Sequence, residues 1–315
     1  MGSGTSRGDW PRIAVVGAGA VGGYFGGMLA RAGAAVVMIG RKPFVAAVQK
    51  NGLLLDALSF KETVGVEAST EPSAAQGADI VLFCVKTIDT TDTARALAPF
   101  ISSGTRVLSL QNGVDNIARI RAAANIDVLP AVVYVAASVP EPGCIRHVGR
   151  GDLIIGPEIA QTKPLAELFV RAGVPCRITD NIDGELWIKL LANCALNALS
   201  ALGQAKYGRI ANDADARTLM RAIVGEVLAV ARAARVVLPG IEDTDAGLSE
   251  AMNIAGQMPQ QLSSTAQDLR RGKRTEIDSL NGFIARRGSE LGVAVPVNHA
   301  LFTLVRLAEN PSVKP

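Results

Sequence analysis

One apolar run carries an amine and two carboxamides. Residues 186–202 read LWIKLLANCALNALSAL, broken by Lys189, Asn193 and Asn197. At positions i, i+4 and i+8 these three fall within about an 80° arc of a helix, so they form a single stripe. An ammonium in apolar surroundings is costly unless something answers it. A positioned ammonium can stabilise negative charge growing on a carbonyl oxygen and then donate a proton. Amides on the next turns can orient a substrate's polar groups without adding charge. A plainer account of the lysine also stands. Glu185 precedes Lys189 by four residues, the favourable order for a helical ion pair, and the lysine stem can cover apolar neighbours.

The second concentration of chemistry is GAGAVGG, which begins at Gly17 directly after a strand-like run and leads into a helix. In a GxGxxG turn, Gly17 permits the tight bend and Gly19 lets the backbone approach a pyrophosphate. Gly22 allows close helix–strand packing, and Ala18, Ala20 and Val21 complete a turn that points helix N–H groups at the anion. Folds of this type that prefer NAD place Asp or Glu about 20 residues further on. This chain has Gly40, Arg41 and Lys42 in IGRK instead, with no carboxylate in that stretch. A guanidinium there can grip a 2′-phosphate, which selects NADP(H) as the expected cofactor; the alternative is a solvated loop cation.

The elements that must position these groups change character along the chain. From Arg12, short β-rich runs (RIAVVGAG, AAVVMIGR, ADIVLFCVK, RVLSLQNG, DVLPAVVYVAAS, DLIIG) alternate with helical segments. Near-continuous apolar strands are the pattern of parallel strands covered on both faces, and the alternation implies a doubly wound α/β sheet of Rossmann type. From Leu186 onward helical periodicity dominates. The expected division is a flexible lead-in at 1–11, a dinucleotide-binding domain at 12–181 and an all-helical substrate and catalytic domain at 182–315. A cleft between two such domains is a favoured location for a small-molecule site.

Composition excludes several classes. The net charge is +3 with scattered basic residues, so DLRRGKRTE and ARRG read as solvated helix faces and no nucleic-acid partner is expected. The four cysteines form no CxxC pair and are read as buried thiols of a reducing compartment. Cys84 reads as strand packing and His147 as a hydrogen-bonded structural histidine. With only two histidines, a zinc site has little material, and Asp183 and Glu185 read as N-terminal helix charges, so no metal is expected. The uncharged stretch IAVVGAGAVGGYFGGMLA breaks into strand, turn and helix start, which argues against a membrane span; the expected location is cytoplasmic.

Taken in order, GAGAVGG, IGR, CVKT, LQNGVDN, LWIKLLANCALN, RTEIDSLNGFIARRG and GVAVPVNHALF resemble the ketopantoate reductase (2-dehydropantoate 2-reductase) family from Ile13 to about Arg306. The resemblance implies a two-domain NADPH-dependent enzyme that reduces the ketone of 2-dehydropantoate to (R)-pantoate, a step towards pantothenate and coenzyme A. It implies Lys189 as general acid, Asn193 and Asn197 as substrate contacts, and Ser264 beside the substrate carboxylate. Glu276 is implied against the cofactor and the reacting centre. Lys86 and Asn112 are implied as cofactor contacts, Asn112 also near the substrate, and Ala136 as a backbone contact to the nicotinamide part. One position departs: where the family carries a further substrate asparagine, this chain has Tyr207 in AKYGR. That leaves open reduction of another branched or bulky 2-keto acid; a third reading, which does not rest on Tyr207, is a non-catalytic NADP(H)-binding sensor. The implied partner is a small 2-keto acid, with a homodimer as an open option.

Overall fold

The strands of the N-terminal part are β1 (Arg12–Val16), β2 (Ala35–Ile39), β3 (Leu53–Asp56), β4 (Lys61–Val64), β5 (Glu67–Ser69), β6 (Ile80–Phe83), β7 (Arg106–Ser109), β8 (Val128–Ser138), β9 (Cys144–Ile155) and β10 (Cys176–Ile178). They join one ten-stranded sheet in the order β4-β3-β9-β8-β7-β6-β1-β2-β5, with β10 also beside β9. This is a computed structural model, and it describes Trp10–Glu309. The lead-in expected at residues 1–11 therefore lies outside the described residues except for Trp10 and Pro11. Trp10 packs against the apolar core, with the Arg171 guanidinium 3.5 Å from its ring centroid.

Helices α1 (Ala20–Arg31), α2 (Lys42–Asn51), α3 (Thr90–Leu97), α4 (Asn116–Ala124) and α5 (Thr162–Arg171) cover both faces of this sheet. The period of two in a strand makes this visible in β1. Ile13 and Val15 join the cluster that holds Phe25, Phe44 and Phe169 from α1, α2 and α5. Ala14 and Val16 join the opposite cluster, with Ala94, Leu97 and Ile120 from α3 and α4. A strand with helices on both sides has no polar face, which is why RIAVV and IVLF read as unbroken apolar runs. Glycines let α1 lie close on the sheet: a Cβ on Gly26 would sit 2.6 Å from Val15 Cγ2, and one on Gly27 2.6 Å from Leu55 Cδ2.

The sheet is mixed rather than parallel throughout. β1, β2, β5, β6, β7 and the start of β8 run parallel, but β8 pairs antiparallel with β9, and β3 antiparallel with β4. The physical reason lies in the connection. Only Val139–Gly143 (VPEPG) separates β8 from β9, whereas a parallel return needs a dozen or more residues. Register shifts at Tyr134/Val135 and Ala136/Ala137 break the alternation along β8, which hid the hairpin in the hydropathy pattern.

The chain divides into two compact units between Ile182 and Asp183. Among the described residues the second unit is wholly helical: α6 (Ile182–Gly203), α7 (Tyr207–Asn212), α8 (Ala214–Ala233), α9 (Thr244–Gln257), α10 (Ser264–Arg270), α11 (Asn281–Leu291) and α12 (Pro296–Ala308). α6 is long and apolar enough to cross a membrane, yet most of it is buried within the protein. All four cysteines are free. Burial pushes the Cys84 and Cys194 thiols far above their ordinary range and Cys176 up to about 12, so they stay protonated and inert.

Buried and half-buried polar groups tie the helices together. Glu226 of α8 accepts 2.8 Å bonds from the Val297 and Asn298 N–H groups in the first turn of α12, and another from Asn298 Nδ2. Asn281 Nδ2 of α11 donates to Asn298 Oδ1 at 3.0 Å and to the Cys194 carbonyl of α6 at 3.2 Å. A carboxylate from one helix thus caps another, and the same amide network reaches the helix that carries the polar stripe. Glu226→Ala strands three donors and is expected to cost about 3 kcal/mol of unfolding free energy, read by chemical denaturation; a loss below about 0.5 kcal/mol would show the cap to be idle.

Candidate functional site

In the first unit the candidate residues gather at the carboxyl ends of adjacent strands, where open α/β sheets bind their ligands. Gly17 has φ +98°, and a Cβ there would lie 2.6 Å from Val85 N, so only glycine fits. Its N–H and that of Ala18 donate to the Ile39 carbonyl at 2.9 and 3.1 Å, which docks the turn on the end of β2. Gly22 is closed by its own fold: a Cβ would meet the Gly17 carbonyl and lie 2.9 Å from Val15 Cγ1. Gly19 differs. It has an ordinary φ of −89°, and a Cβ there would meet nothing within 4 Å. Neither backbone strain nor packing requires glycine at this position. The opening at Gly19 fits a group brought close to the backbone from outside.

Gly19 is also the N-cap of α1, whose first turn contains Ala20 and Val21. It has no side-chain cap and no acidic residue, so the positive end of the helix is left to an anion. Arg41 lies just beyond β2 as the N-cap of α2, with its side chain 86% exposed. The fold supplies what the local sequence lacked. Asp89, from the turn after β6, places Oδ2 3.7 Å from the Arg41 guanidinium. That contact is long and solvated, so it holds Arg41 weakly.

CVKT and LQNG are bound together by a buried polar network. Gln111 Nε2 donates to the Val85 carbonyl at 3.0 Å and to Thr90 Oγ1 at 2.7 Å. Its Oε1 accepts from Ser109 Oγ at 3.0 Å. Thr90 Oγ1 donates to Asn116 Oδ1, while Asn116 Nδ2 and Thr87 Oγ1 both donate to the Asn112 carbonyl, at 2.6 and 3.3 Å. The backbones on either side of Lys86 and at Asn112 are therefore fixed relative to each other and to the glycine turn, which packs on Cys84 and Val85. Ala136 lies on β8 beyond Pro130, the last residue paired with β7, and so projects past the strand ends. His147 stacks on Tyr24 and hydrogen-bonds the Arg150 carbonyl, as a structural histidine does.

In the second unit Lys189, Asn193 and Asn197 share the stripe expected of α6. Lys189 and Asn193 are half-buried, and Asn197 is buried. Tyr207, at the start of α7, is buried as well, and its hydroxyl donates to Asn197 Oδ1 at 3.0 Å. Ser263 pins the next segment to the same place. Its Oγ donates to the Asn197 carbonyl at 3.2 Å and accepts from Ala266 N as the cap of α10, while its N–H donates to Ser200 Oγ. Ser264 follows as the first, exposed residue of α10. Glu276 is half-buried and opens a single 3-10 turn. Thr275 donates to Glu309 Oε1 through both N–H (2.9 Å) and Oγ1 (2.6 Å), and Asp278 takes Arg306 Nη1 at 3.1 Å, so the segment is held from both sides.

Several of these positioning residues escaped the sequence: Gln111, Thr90, Asn116, Ser263 and Glu309. Gln111 and Asn116 stood inside a recognised motif as polar residues beside an apolar strand, which is a usable signal. Their partners are set only by the fold.

Residues 13–158 match the family model described as Ketopantoate reductase PanE/ApbA, and residues 181–309 the one described as Ketopantoate reductase PanE/ApbA C terminal. A 2-dehydropantoate 2-reductase of Halobacterium salinarum is 32% identical across 95% of this chain and 99% of its own length. The crystal structure of a PanE/ApbA family ketopantoate reductase from Ralstonia eutropha JMP134 is 51% identical with a TM-score of 0.89, covering 95% of this chain and 98% of that one. A D-mandelate dehydrogenase, solved as a ternary complex with NADH and anilino(oxo)acetate, is 25% identical with a TM-score of 0.88 over 95% of this chain and 98% of its own.

Two neighbouring glycines offer a test of what the turn is for. Gly22→Ala is expected to lower unfolding free energy by about 1–3 kcal/mol through overpacking. Gly19→Ala is expected to leave stability within about 0.5 kcal/mol of the parent while weakening dinucleotide binding about tenfold or more, a factor worth about 1.4 kcal/mol. Denaturation together with a dinucleotide titration reads both; unchanged binding in Gly19→Ala would remove the turn from ligand recognition.

Proposed function

This chain belongs to the ketopantoate reductase family, and from that premise we propose that it is an NADPH-dependent oxidoreductase reducing 2-dehydropantoate to (R)-pantoate, with Lys189 as general acid. The observation that carries the reading is the Lys189–Asn193–Asn197 stripe on α6, an amine and two amides at one helical spacing in a largely apolar helix. A nicotinamide dinucleotide, when bound, would supply the hydride that the keto carbon accepts. Lys189 stabilises the charge that grows on the carbonyl oxygen and hands it a proton. Asn193 and Asn197 orient the keto acid, Ser264 meets its carboxylate, and Glu276 lies against the cofactor and the reacting centre. Gly17, Ala18, Gly19, Ala20, Val21 and Gly22 take the pyrophosphate, Lys86 and Asn112 contact the cofactor at the strand ends, Asn112 also near the substrate, and the Ala136 backbone meets the nicotinamide part. In this reading residues 12–181 bind the cofactor and 182–315 the substrate.

NADP(H) is preferred on this reading because Arg41 is the cation at the end of β2, weakly engaged by Asp89 and able to move to a 2′-phosphate. A second substrate reading has its own support. Tyr207 stands where the family has an asparagine, its hydroxyl is spent on Asn197, and a D-mandelate dehydrogenase shares the fold. Under that reading the chemistry is unchanged and the substrate is another bulky 2-keto acid.

Steady-state assays with NADPH and a panel of 2-keto acids decide between the two by kcat/KM. Lys189→Ala is expected to lower kcat by about 10²–10⁴-fold; equal turnover in parent and variant would take Lys189 out of the mechanism. Thermal shift reads the cofactor: NADP⁺ is expected to raise the melting temperature more than NAD⁺ at equal concentration, and Arg41→Ala to abolish the difference. Equal shifts in the parent would contradict the assignment of Arg41.

A further inference from the structure

We propose that Tyr207 is a positioning and specificity residue, locking the Asn197 carboxamide so that it presents only N–H donors to the substrate. This rests on the reading of α6 as the substrate-orienting helix.

A carboxamide is two-faced. Rotated by half a turn it exchanges an acceptor for two donors, and a free asparagine in a binding site can meet either kind of group. In this chain one face is taken. The Tyr207 hydroxyl donates to Asn197 Oδ1 at 3.0 Å, with both residues buried. Burial also raises the phenol's pKa above its ordinary value, so it keeps its proton and stays a donor throughout the neutral range. Among the described residues Asn197 Nδ2 makes no hydrogen bond, although the residue is only 3% exposed. Its two donors are therefore available, and their direction is set by the bond on the other side.

The frame around Tyr207 is rigid enough to hold that direction. Its own N–H donates to the Gln261 carbonyl at 3.0 Å, and the Gly208 N–H to the Pro259 carbonyl at 2.9 Å. A Cβ on Gly208 would lie 3.0 Å from Pro259 Cβ, so the two segments touch without slack. Ser263, at the far end of the same loop, donates to the Asn197 carbonyl and fixes its backbone. Asn197 is thus held at both its backbone and its side-chain oxygen, leaving the amide nitrogen as its single uncommitted group.

A donor-only amide recognises an acceptor: a carboxylate or carbonyl oxygen of the keto acid, or the lone pair of a hydroxyl. It gives no acceptor to a substrate O–H. Rejection of a competitor is strongest where a buried polar group would be left unpaired, and here Tyr207 already takes one of the two lone pairs of the amide oxygen and holds that oxygen towards itself. Asparagine at position 207 would have offered a second two-faced amide, whereas tyrosine offers a ring and one directed proton.

The test is a double-mutant cycle of Tyr207→Phe, Asn197→Ala and the pair, with keto-acid kinetics, NADPH affinity and melting temperature read for each. Tyr207→Phe keeps the ring and removes the proton. We expect a rise of about three- to tenfold in keto-acid KM, the scale of one neutral hydrogen bond, with kcat and NADPH affinity within about twofold of the parent. In the Asn197→Ala background the same change is expected to leave KM unaltered. An active parent whose KM is indifferent to Tyr207→Phe, or a KM effect that persists undiminished without Asn197, overturns this proposal alone. A parent idle on every keto acid of the panel overturns the functional reading and this proposal with it.

Discussion

An ammonium on the most apolar helix of its unit constrains everything around it. Lys189 lies between Ile188 and Leu190, both buried, so a turn of α6 about its axis would bring apolar residues out and the charge in. Burying that charge costs several kcal/mol, more than one ordinary packing contact returns. The orientation of α6 must therefore be fixed by other bonds, and the structure supplies them at intervals. Asn281 takes the Cys194 carbonyl, Ser263 the Asn197 carbonyl and Tyr207 the Asn197 amide oxygen. Each comes from a different later segment, so the helical unit as a whole determines which way the stripe faces.

The glycine turn obeys the opposite logic. Around α6 the protein ties down two carbonyls and an amide oxygen with its own donors; at Gly19 it leaves space that none of its own atoms occupy. Gly17 and Gly22 are explained by backbone conformation and by packing on Val85 and Val15, so a fold with no ligand would still require them. Gly19 is the one glycine of the motif that folding alone does not demand. The uncapped, acid-free start of α1 agrees with it. The turn's first and third glycines build the strand-to-helix corner, and its second leaves that corner open to a ligand.

What could be read in the sequence follows the range of the interactions. The sheet with helices on both faces, the glycine turn and the polar stripe are local patterns with periods of two or 3.6 residues, and all three were legible. The β8–β9 hairpin is not legible in the hydropathy pattern, because bulges erase the alternation and the deciding fact is a loop too short for a crossover. Gln111 was visible as a residue, but its bonds to Val85 and Thr90 span more than twenty positions and exist only once β6 and β7 are paired. The same holds for Arg41. No carboxylate lies beside it in the chain, yet β1 between β2 and β6 brings Asp89 within 3.7 Å.

Tyr207 shows how far a local reading can carry and where it stops. Comparison of motifs marks it as a departure, a large ring where an amide is usual, and suggests a changed pocket. The fold adds that the ring is buried and its hydroxyl already engaged, so its direct contribution to a substrate is not a replacement hydrogen bond. A side chain that has spent its proton on Asn197 acts through Asn197. The contact that joins it to Asn197 spans ten positions and two helices, so residue identity alone does not encode it.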